Sequence, residues 1–594
     1  MKKLSMIPMA LCLLLLAQCQ KIDHPDQILV TNTQKYKLDL GSKVTAEIGG
    51  LVLNESGMPV SNATVTVGNQ TVNTNASGYF IVSGAEVYQK HTFIKVHASG
   101  YFHGSRAIIP QEGVNDIEIT LLSNAKVASF SATDGGTATV GSSSVQLPAG
   151  FTDMHGNPYN GTVNVAMKYL DPEASNINSI MPGDLVAATS NGDQRLQTFG
   201  MLAVELTDSK GAQVKMKNGS EAIIRMPVPG SLAASASPKI PLWYFDEKAG
   251  YWVEEGEASL VNGEYVGKVK HFTFWNVDKP FAASVVKGRV VNSEGTPIAG
   301  AYVTAKSKNY GSATSLTTSQ GNFSGRIPSN EVVELSISFR HLIGNSAKIM
   351  TIGPFESDAE IPEIVVEDIP DFIKISGTIV DCDNQLFFGG KVIVDGASTV
   401  EVVAGTYTFF YPKGKSFSIW PYDGVTREYG NKAQFPGYSE NTTLPNQKLC
   451  VTGGGSNYGA VKWTMSYTLD GQSVNRSNQS GYYATRTPNE SEINVACGVL
   501  LNYVPEFELV VANYDGARLV NLNEASSSAM WIGNSKSAHP TISENVTLVV
   551  DRYVNNSDMV YMDFEFYGTV KVWNEDLNKY ESKSISNGRW RYIK

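Results

Sequence analysis

A stretch of sixteen residues occurs twice, and this repeat constrains the fold more than any other feature. GLVLNESGMPVSNATV runs from Gly50 to Val65, and GRVVNSEGTPIAGAYV runs from Gly288 to Val303. The copies align without a gap: Gly50 with Gly288, Gly57 with Gly295, Pro59 with Pro297, Ala63 with Ala301, Val65 with Val303. Each copy reads as a strand, an Asn-x-x-Gly turn, and a second strand. Gly295 is expected at positive φ in the tight turn. Pro297 is expected at an edge that needs no amide donor. Further on, each copy has a Gly-x-aromatic that opens another strand, Gly78 to Phe80 and Gly321 to Phe323. A third, worn copy starts at Gly377. There Asn384 stands for the turn glycine, Leu386 for the proline, Gly390 for the alanine and Val392 for the valine, and Gly405 to Tyr407 supplies the Gly-x-aromatic. Three copies interrupted by an unrelated segment predict beads rather than a stacked solenoid.

The rest of the chain has the same character. Its 594 residues are too many for one core. Short alternating apolar runs broken by Gly, Pro, Asn and Asp recur throughout, and no 3.6-residue apolar period is sustained. The fold class is therefore an all-β, multidomain chain of β-sandwiches. The formal charge is −10. Losing Lys2 and Lys3 with residues 1–18 takes it from −10 to −12. That balance argues against nucleic acid as a partner, which would need a basic face.

The first residues point to export. Lys2 and Lys3 precede an apolar run from Leu4 to Ala17 that is too short to span a bilayer. It closes in LAQC, Leu16 to Cys19, which resembles a bacterial lipobox, with Gln18 where a small residue is usual. The resemblance implies that Cys19 is lipidated and anchors the chain to a membrane; ordinary signal cleavage with Cys19 incidental is the alternative. The following QKIDHPD resembles the acidic export tag of surface lipoproteins in Bacteroidota. Together these imply a lipid anchor in the bacterial outer membrane, surface-exposed, with the periplasmic face as the alternative.

The repeats resemble the carboxypeptidase regulatory-like domain, a transthyretin-like (prealbumin-like) seven-stranded sandwich, over 45–122, 284–367 and 372–452. In the peptidases that gave it its name this domain does no chemistry. Residues 124–280 differ. LPAGFTD, MPGDLVA, IPLWYFDEKAGYWVEEGEA and YVGKVKHFTFWNVD resemble the β domain of cartilage intermediate layer proteins, which is similar to the domain shared by zona-occludens proteins and netrin receptors. Trp243, Phe245, Trp252, Phe272 and Phe274 alternate with polar neighbours, as half-buried strands should. The expected organisation is a signal peptide (1–18), a linker (19–44), a first regulatory-like domain (45–123), the second kind of β domain (124–282), a second regulatory-like domain (283–370), a degenerate third (371–452) and a C-terminal sandwich (453–594). This last begins after Gly453-Gly454-Gly455 and closes in a hairpin on Asn587-Gly588.

Candidates for chemistry are few. Cys382, Cys450 and Cys497 have no CxxC and no close histidine, which argues against zinc. Cys382 and Cys450 end what read as the first and last strands of one sandwich, so they form either a disulfide or two buried thiols. His91, His97 and His103 recur at six-residue spacing, but Gly100 and Gly104 interrupt the run. Asp134, Asp153, Asp171 and Asp184 are scattered, without a DxDxDG pattern. Tyr482, Tyr483, Trp531, Trp573 and Trp590 are aromatics that can stack on sugars or fill a core. His271-Phe272-Thr273 resembles a self-cleavage site of related β domains: Thr273 Oγ1 would attack the preceding carbonyl with His271 as base. That chemistry needs strain, and KVKHFTFWN reads as an unbroken strand. No hydrolase motif, catalytic residue, metal or cofactor is expected. The function expected is a non-catalytic envelope module that binds or spaces a glycan or a protein. The alternative is a self-processing or hydrolytic envelope protein cutting between Phe272 and Thr273.

Overall fold

The computed structural model describes residues 36–450, apart from 341–345, 368–370, 383, 385, 388–389, 396–397, 403–404 and 424–426, and the backbone of the strands between 462 and 593 with some of their side chains, chiefly within 544–548, 564–574 and 579–585. Cys19 lies outside the described residues. Among those described, one helical turn (Ile177–Ile180) and one 3-10 segment (Gly230–Ser235) are the exceptions to strand and loop. The chain is multidomain and all-β.

The three related segments fold alike. In each, a three-rowed sheet has the first strand at its centre, antiparallel to the strand that follows the Gly-x-aromatic and parallel to the last. In the first sandwich Lys43–Asn54 lies between Tyr79–Tyr88 and Val114–Leu121. In the second Ala283–Asn292 lies between Asn322–Pro328 and the short pair Ala359–Glu360 and Ile364–Val366. In the third Phe372–Val380 lies between Thr406–Pro412 and the pair Thr442–Thr443 and Gln447–Lys448. A second sheet covers each, with Thr64–Val67, Tyr302–Ser307 and Lys391–Val394 as inner strands. Every sandwich has its own apolar core.

Register explains the repeat. Gly50 pairs with Phe80, Gly288 with Phe323, and Gly377 with Tyr407. The aromatic ring lies over the glycine of the facing strand. A Cβ on Gly50 would stand 2.9 Å from Phe80 Cε1, and one on Gly288 2.7 Å from Phe323 Cζ. Tyr407 crowds Gly377 in the same way. The two sequence signals are thus halves of one cross-strand contact. The turn behaves as expected: Gly57 sits at φ +72°, Gly295 at +75°, and Asn384, the substitute, at +62°. The bridges Leu53–Pro59, Val291–Pro297 and Val380–Leu386 recur as well. Hydrogen bonds run through the neighbours of each proline, Val60 N to Val52 O and Ile298 N to Val290 O, so its missing donor costs nothing.

Residues 126–281 form an eleven-stranded sheet beside a three-stranded one. Trp243, Phe245 and Trp252 are fully buried there, on the packed faces of their strands, with the two indole N–H groups donating to Asp278 O (3.1 Å) and Asp184 O (2.9 Å). KVKHFTFWN is not one strand. Glu264–Val269 pairs with Ala222–Pro227 and Tyr251–Val261, whereas Phe274–Phe281 lies between Gly192–Thr207 and Lys239–Asp246. The chain changes neighbours, and residues 270–273 make the bend.

Between 462 and 593 ten strands form one sheet. The hairpin on Asn587-Gly588 does not occur. Lys579–Ile593 continues as strand through both residues and bulges there: Ser586 and Asn587 together face Tyr567, between the pairs Ile585–Gly568 and Gly588–Phe566. By continuing, residues 589–593 gain ladders on both sides, to Tyr561–Glu565 and to Lys462–Ser466. A turn there would leave a single partner.

Candidate functional site

The beads do not hang free. Strand Val114–Leu121 is an edge of the first sandwich, with unpaired backbone groups that need cover. The second and third sandwiches supply it. Val114 N donates to Ser319 Oγ (2.8 Å), and Ser319 N donates to Val114 O (3.1 Å). Ser319 Oγ in turn donates to Glu401 of the third sandwich (2.8 Å). Lys391, also buried, bridges Glu401 (3.3 Å) and Glu47 of the first sandwich (3.1 Å). One serine therefore touches all three units.

Asp116 is buried in this seam at 3% exposed, between the fully buried Tyr79 and Thr399. Its Oδ2 accepts from Thr399 N (2.6 Å), and its Oδ1 accepts from Tyr79 OH (2.8 Å) and Thr399 Oγ1 (3.1 Å). Burial pushes its carboxyl up to about 6, even though these donors pull the other way. Burial, with the Asp116 charge next, likewise pushes the Tyr79 phenol well above its usual range.

A cavity of about 460 Å³ opens where the first sandwich, the 126–281 sheet and the second sandwich meet. Strand Gly104–Ile108 brings Arg106, Gly192–Thr207 brings Arg195, and Asn322–Pro328 brings Arg326. Arg326 pairs with Asp184 (3.2 Å) and donates to Lys90 O (2.9 Å). Arg195 donates to Arg326 O (3.0 Å), and Arg106 to Asn178 O. Glu118 is held by Arg340 at 2.6 Å. Burial lowers the Arg195 guanidinium and brings Arg106 down to about 10. Nothing in the local sequence marks these arginines. Each is a lone cation in an ordinary alternating strand, and 89 residues separate Arg106 from Arg195.

The residues singled out in the sequence lie elsewhere. His91 Nε2 meets Gly250 O (3.0 Å), while the His97 and His103 rings pack edge-on at 5.0 Å and His103 faces Glu247. Asp153 orders its own turn through His155 N and Asn157 N, and Asp134 accepts from Thr133. Asp171 accepts from Glu173 N, and Asp184 pairs with Arg326. Among the described residues no three His, Cys, Asp or Glu gather as a metal site would require. At the 270–273 bend, Thr273 Oγ1 donates forward to Phe274 O (3.1 Å) and His271 Nε2 faces Glu255 (3.4 Å). Trp275 Nε1 donates to His271 O (2.9 Å), and Phe272 packs against the core. The bend exists, but its hydroxyl and imidazole are engaged with other partners. Cys382 and Cys450 are joined by a disulfide, with Cα atoms 5.1 Å apart. Trp573 packs edge-on against Tyr580. The side chains of Tyr482, Tyr483, Cys497, Trp531 and Trp590 lie outside the described residues.

No family model matches the chain. Cartilage intermediate layer protein 2 of Mus musculus is 29% identical over 227 residues, covering 35% of this chain and 19% of that protein. The human protein is 24% identical over 225 residues with the same shares, and cartilage intermediate layer protein 1 of Sus scrofa is 28% identical over 121. The chain thus spans about a fifth of these relatives' length. Among solved structures, the shaft pilin SpaA of Lactobacillus rhamnosus GG covers 29% of this chain at 10% identity with a TM-score of 0.14. The Bacillus anthracis TIE protein covers 59% at 11% identity and 0.14.

Proposed function

We propose that this chain is a non-catalytic cell-envelope protein, anchored in the outer membrane through lipid on Cys19, that serves as a rigid binding or spacing module for a glycan or an envelope protein. The observation that carries the reading is the seam at Ser319, Asp116 and Lys391. Three sandwiches with separate cores are held together by buried polar contacts among residues far apart in sequence. Buried polar groups of this kind fix geometry more than they add stability. A fixed platform with a cavity at its junction suits ligand presentation. Among the described residues, Asp153 and Asp171 order their own turns, Asp184 pairs with Arg326, and His271 faces Glu255.

Two measurements test this. Cys19→Ala should move the protein from the membrane to the soluble fraction and end metabolic lipid labelling; persistent labelling would refute the anchor. Residues 20–594 should bind a defined glycan class on an array or an envelope protein in a pull-down. Turnover of an esterase, glycosidase or peptidase substrate by that purified chain would overturn the non-catalytic reading.

A further inference from the structure

Resting on the reading above as a binding module, we propose that the junction cavity binds a small carboxylate-bearing molecule, its carboxylate held by Arg106 and Arg195 and its uncharged body lying on the apolar floor of the second sandwich.

The charge balance is uneven. Arg106, Arg195 and Arg326 line the cavity together with Asp184, which is already paired with Arg326. Glu118 is taken by Arg340, and Asp116 is occupied by three donors in the seam. Arg106 and Arg195 therefore have no carboxylate within 4.0 Å among the described residues. Arg195 is only 9% exposed, and among the described residues its guanidinium makes one hydrogen bond, to the carbonyl of Arg326. A guanidinium has five N–H donors, so most of those on Arg195 are unspent. Asp184 acts on both guanidinium groups electrostatically, but its direct ion pair is with Arg326, so three arginines share one carboxylate here and two are left without a directly bonded counter-charge, which is costly on burial. Burial pulls both guanidinium groups below their usual range, which is the cost that an anion at this point removes.

The shape sets the ligand class. About 460 Å³ falls within the range of small-molecule sites. Val286, Val303, Ile327, Leu335 and Ile352 line one side, while Asn178, Thr304, Thr314 and Ser324 line another. A planar carboxylate matches the guanidinium fork, and an aliphatic chain or a sugar ring fits the remaining walls. A sugar acid and a fatty acid share this chemistry and differ only in the body.

Titration calorimetry on residues 20–594 tests the proposal with three probes: glucuronate, octanoate and inorganic phosphate. We expect one of the two carboxylates to bind at a single site. Its Kd should rise about tenfold or more in Arg195→Gln and in Arg106→Gln. Thr314→Phe, which puts a bulky ring into the cavity lining and leaves both arginines in the sequence, should abolish binding, and it guards against loss through misfolding of the arginine variants. No carboxylate binding up to about 10 mM, phosphate binding alone, or an affinity unchanged in Arg195→Gln and Thr314→Phe would overturn the proposal. A glycan or envelope protein that still binds the Arg195→Gln chain normally would sink the cavity and leave the module reading intact. Loss of all ligands by the wild type would sink both.

Discussion

The second and third sandwiches follow the same path strand for strand, yet they are closed by different means. In the second, Thr317 lies inside: its hydroxyl accepts from Ala301 N (2.8 Å) and donates to Ile298 O (2.7 Å). The first sandwich repeats this with Thr74, Ala63 and Val60. In the third, Val402 occupies that place, and a backbone bond from its N–H to Gly390 O is what remains. The third has also lost the turn glycine and the proline. It has instead a covalent tie between Cys382 and Cys450, just beyond its first and last strands. What survives in all three is the Gly–aromatic register pair and the turn's positive φ with its bridge. The lesson is that the cross-strand contact and the turn conformation go with this topology, while the glycine and proline that make the turn, and the internal threonine, are replaceable.

The comparison breaks most sharply at the disulfide. It closes a loop with a sequence separation of 68 residues. Chain entropy then gives about 4 kcal/mol. The double variant Cys382→Ala/Cys450→Ala should split off an early melting transition for the third sandwich and leave the other two in place. A single transition at the wild-type midpoint would show that the worn copy needs no tie.

The seam that joins the first sandwich to the third comes next. Asp116 rises from 3.8 to about 6 on burial. The folded state therefore holds a proton that the unfolded chain releases. This contribution is complete below about pH 3.8 and is lost as pH climbs through about 6, a change of about 3 kcal/mol. Glu401, Glu47 and Lys391 form a charged cluster in the same seam, so the difference between wild type and D116N is the quantity to follow. D116N should gain stability over wild type as pH rises from about 4 to 7. A difference that stays flat across that window would place the Asp116 proton elsewhere.

Smaller effects test the register pair and the turn separately. Gly288→Val drives a side chain into Phe323 and Ile361 and should cost about 2 kcal/mol in denaturant, with Gly377→Val behaving alike. Equal stability in either would refute the idea that this contact specifies the fold. Gly295 has no atom within 4 Å of a built Cβ, so Gly295→Val reports backbone strain alone, about 1 kcal/mol. Gly57→Asn should cost less than about 0.5 kcal/mol, because Asn384 already holds that conformation. A larger loss would mean that the third copy has adjusted its turn to suit asparagine.

The repeat, the turn at Gly295 and the all-β class were legible because they depend on neighbours in sequence. Three other features were not. The bend at 270–273 follows from which strands Val269 and Phe274 pair with, and alternation in KVKHFTFWN is blind to a change of partner. Asn587-Gly588 has the residues of a tight turn, but tertiary pairing on both sides of Lys579–Ile593 overrides that preference. The junction eluded the sequence altogether. Asp116 and Thr399 are 283 residues apart, and a buried carboxylate in an alternating strand looks like any other polar position.

The parallel pairing of first and last strands also determines how each sandwich bears tension. A chain pulled from its two ends loads such a pair in shear, so its hydrogen bonds must fail together rather than one by one. The first sandwich presents eight paired positions to that load, Glu47–Val114 through Asn54–Leu121. The third presents four, two with Thr442–Thr443 and two with Gln447–Lys448. There, however, force entering along Phe372–Val380 crosses directly from Cys382 to Cys450 and leaves the sandwich without passing through its core. Single-molecule pulling should therefore release the first two sandwiches at distinct forces. The third should add its 68 residues, about 240 Å of contour, only after reduction, and the same extension under oxidising conditions would show that the load takes another route.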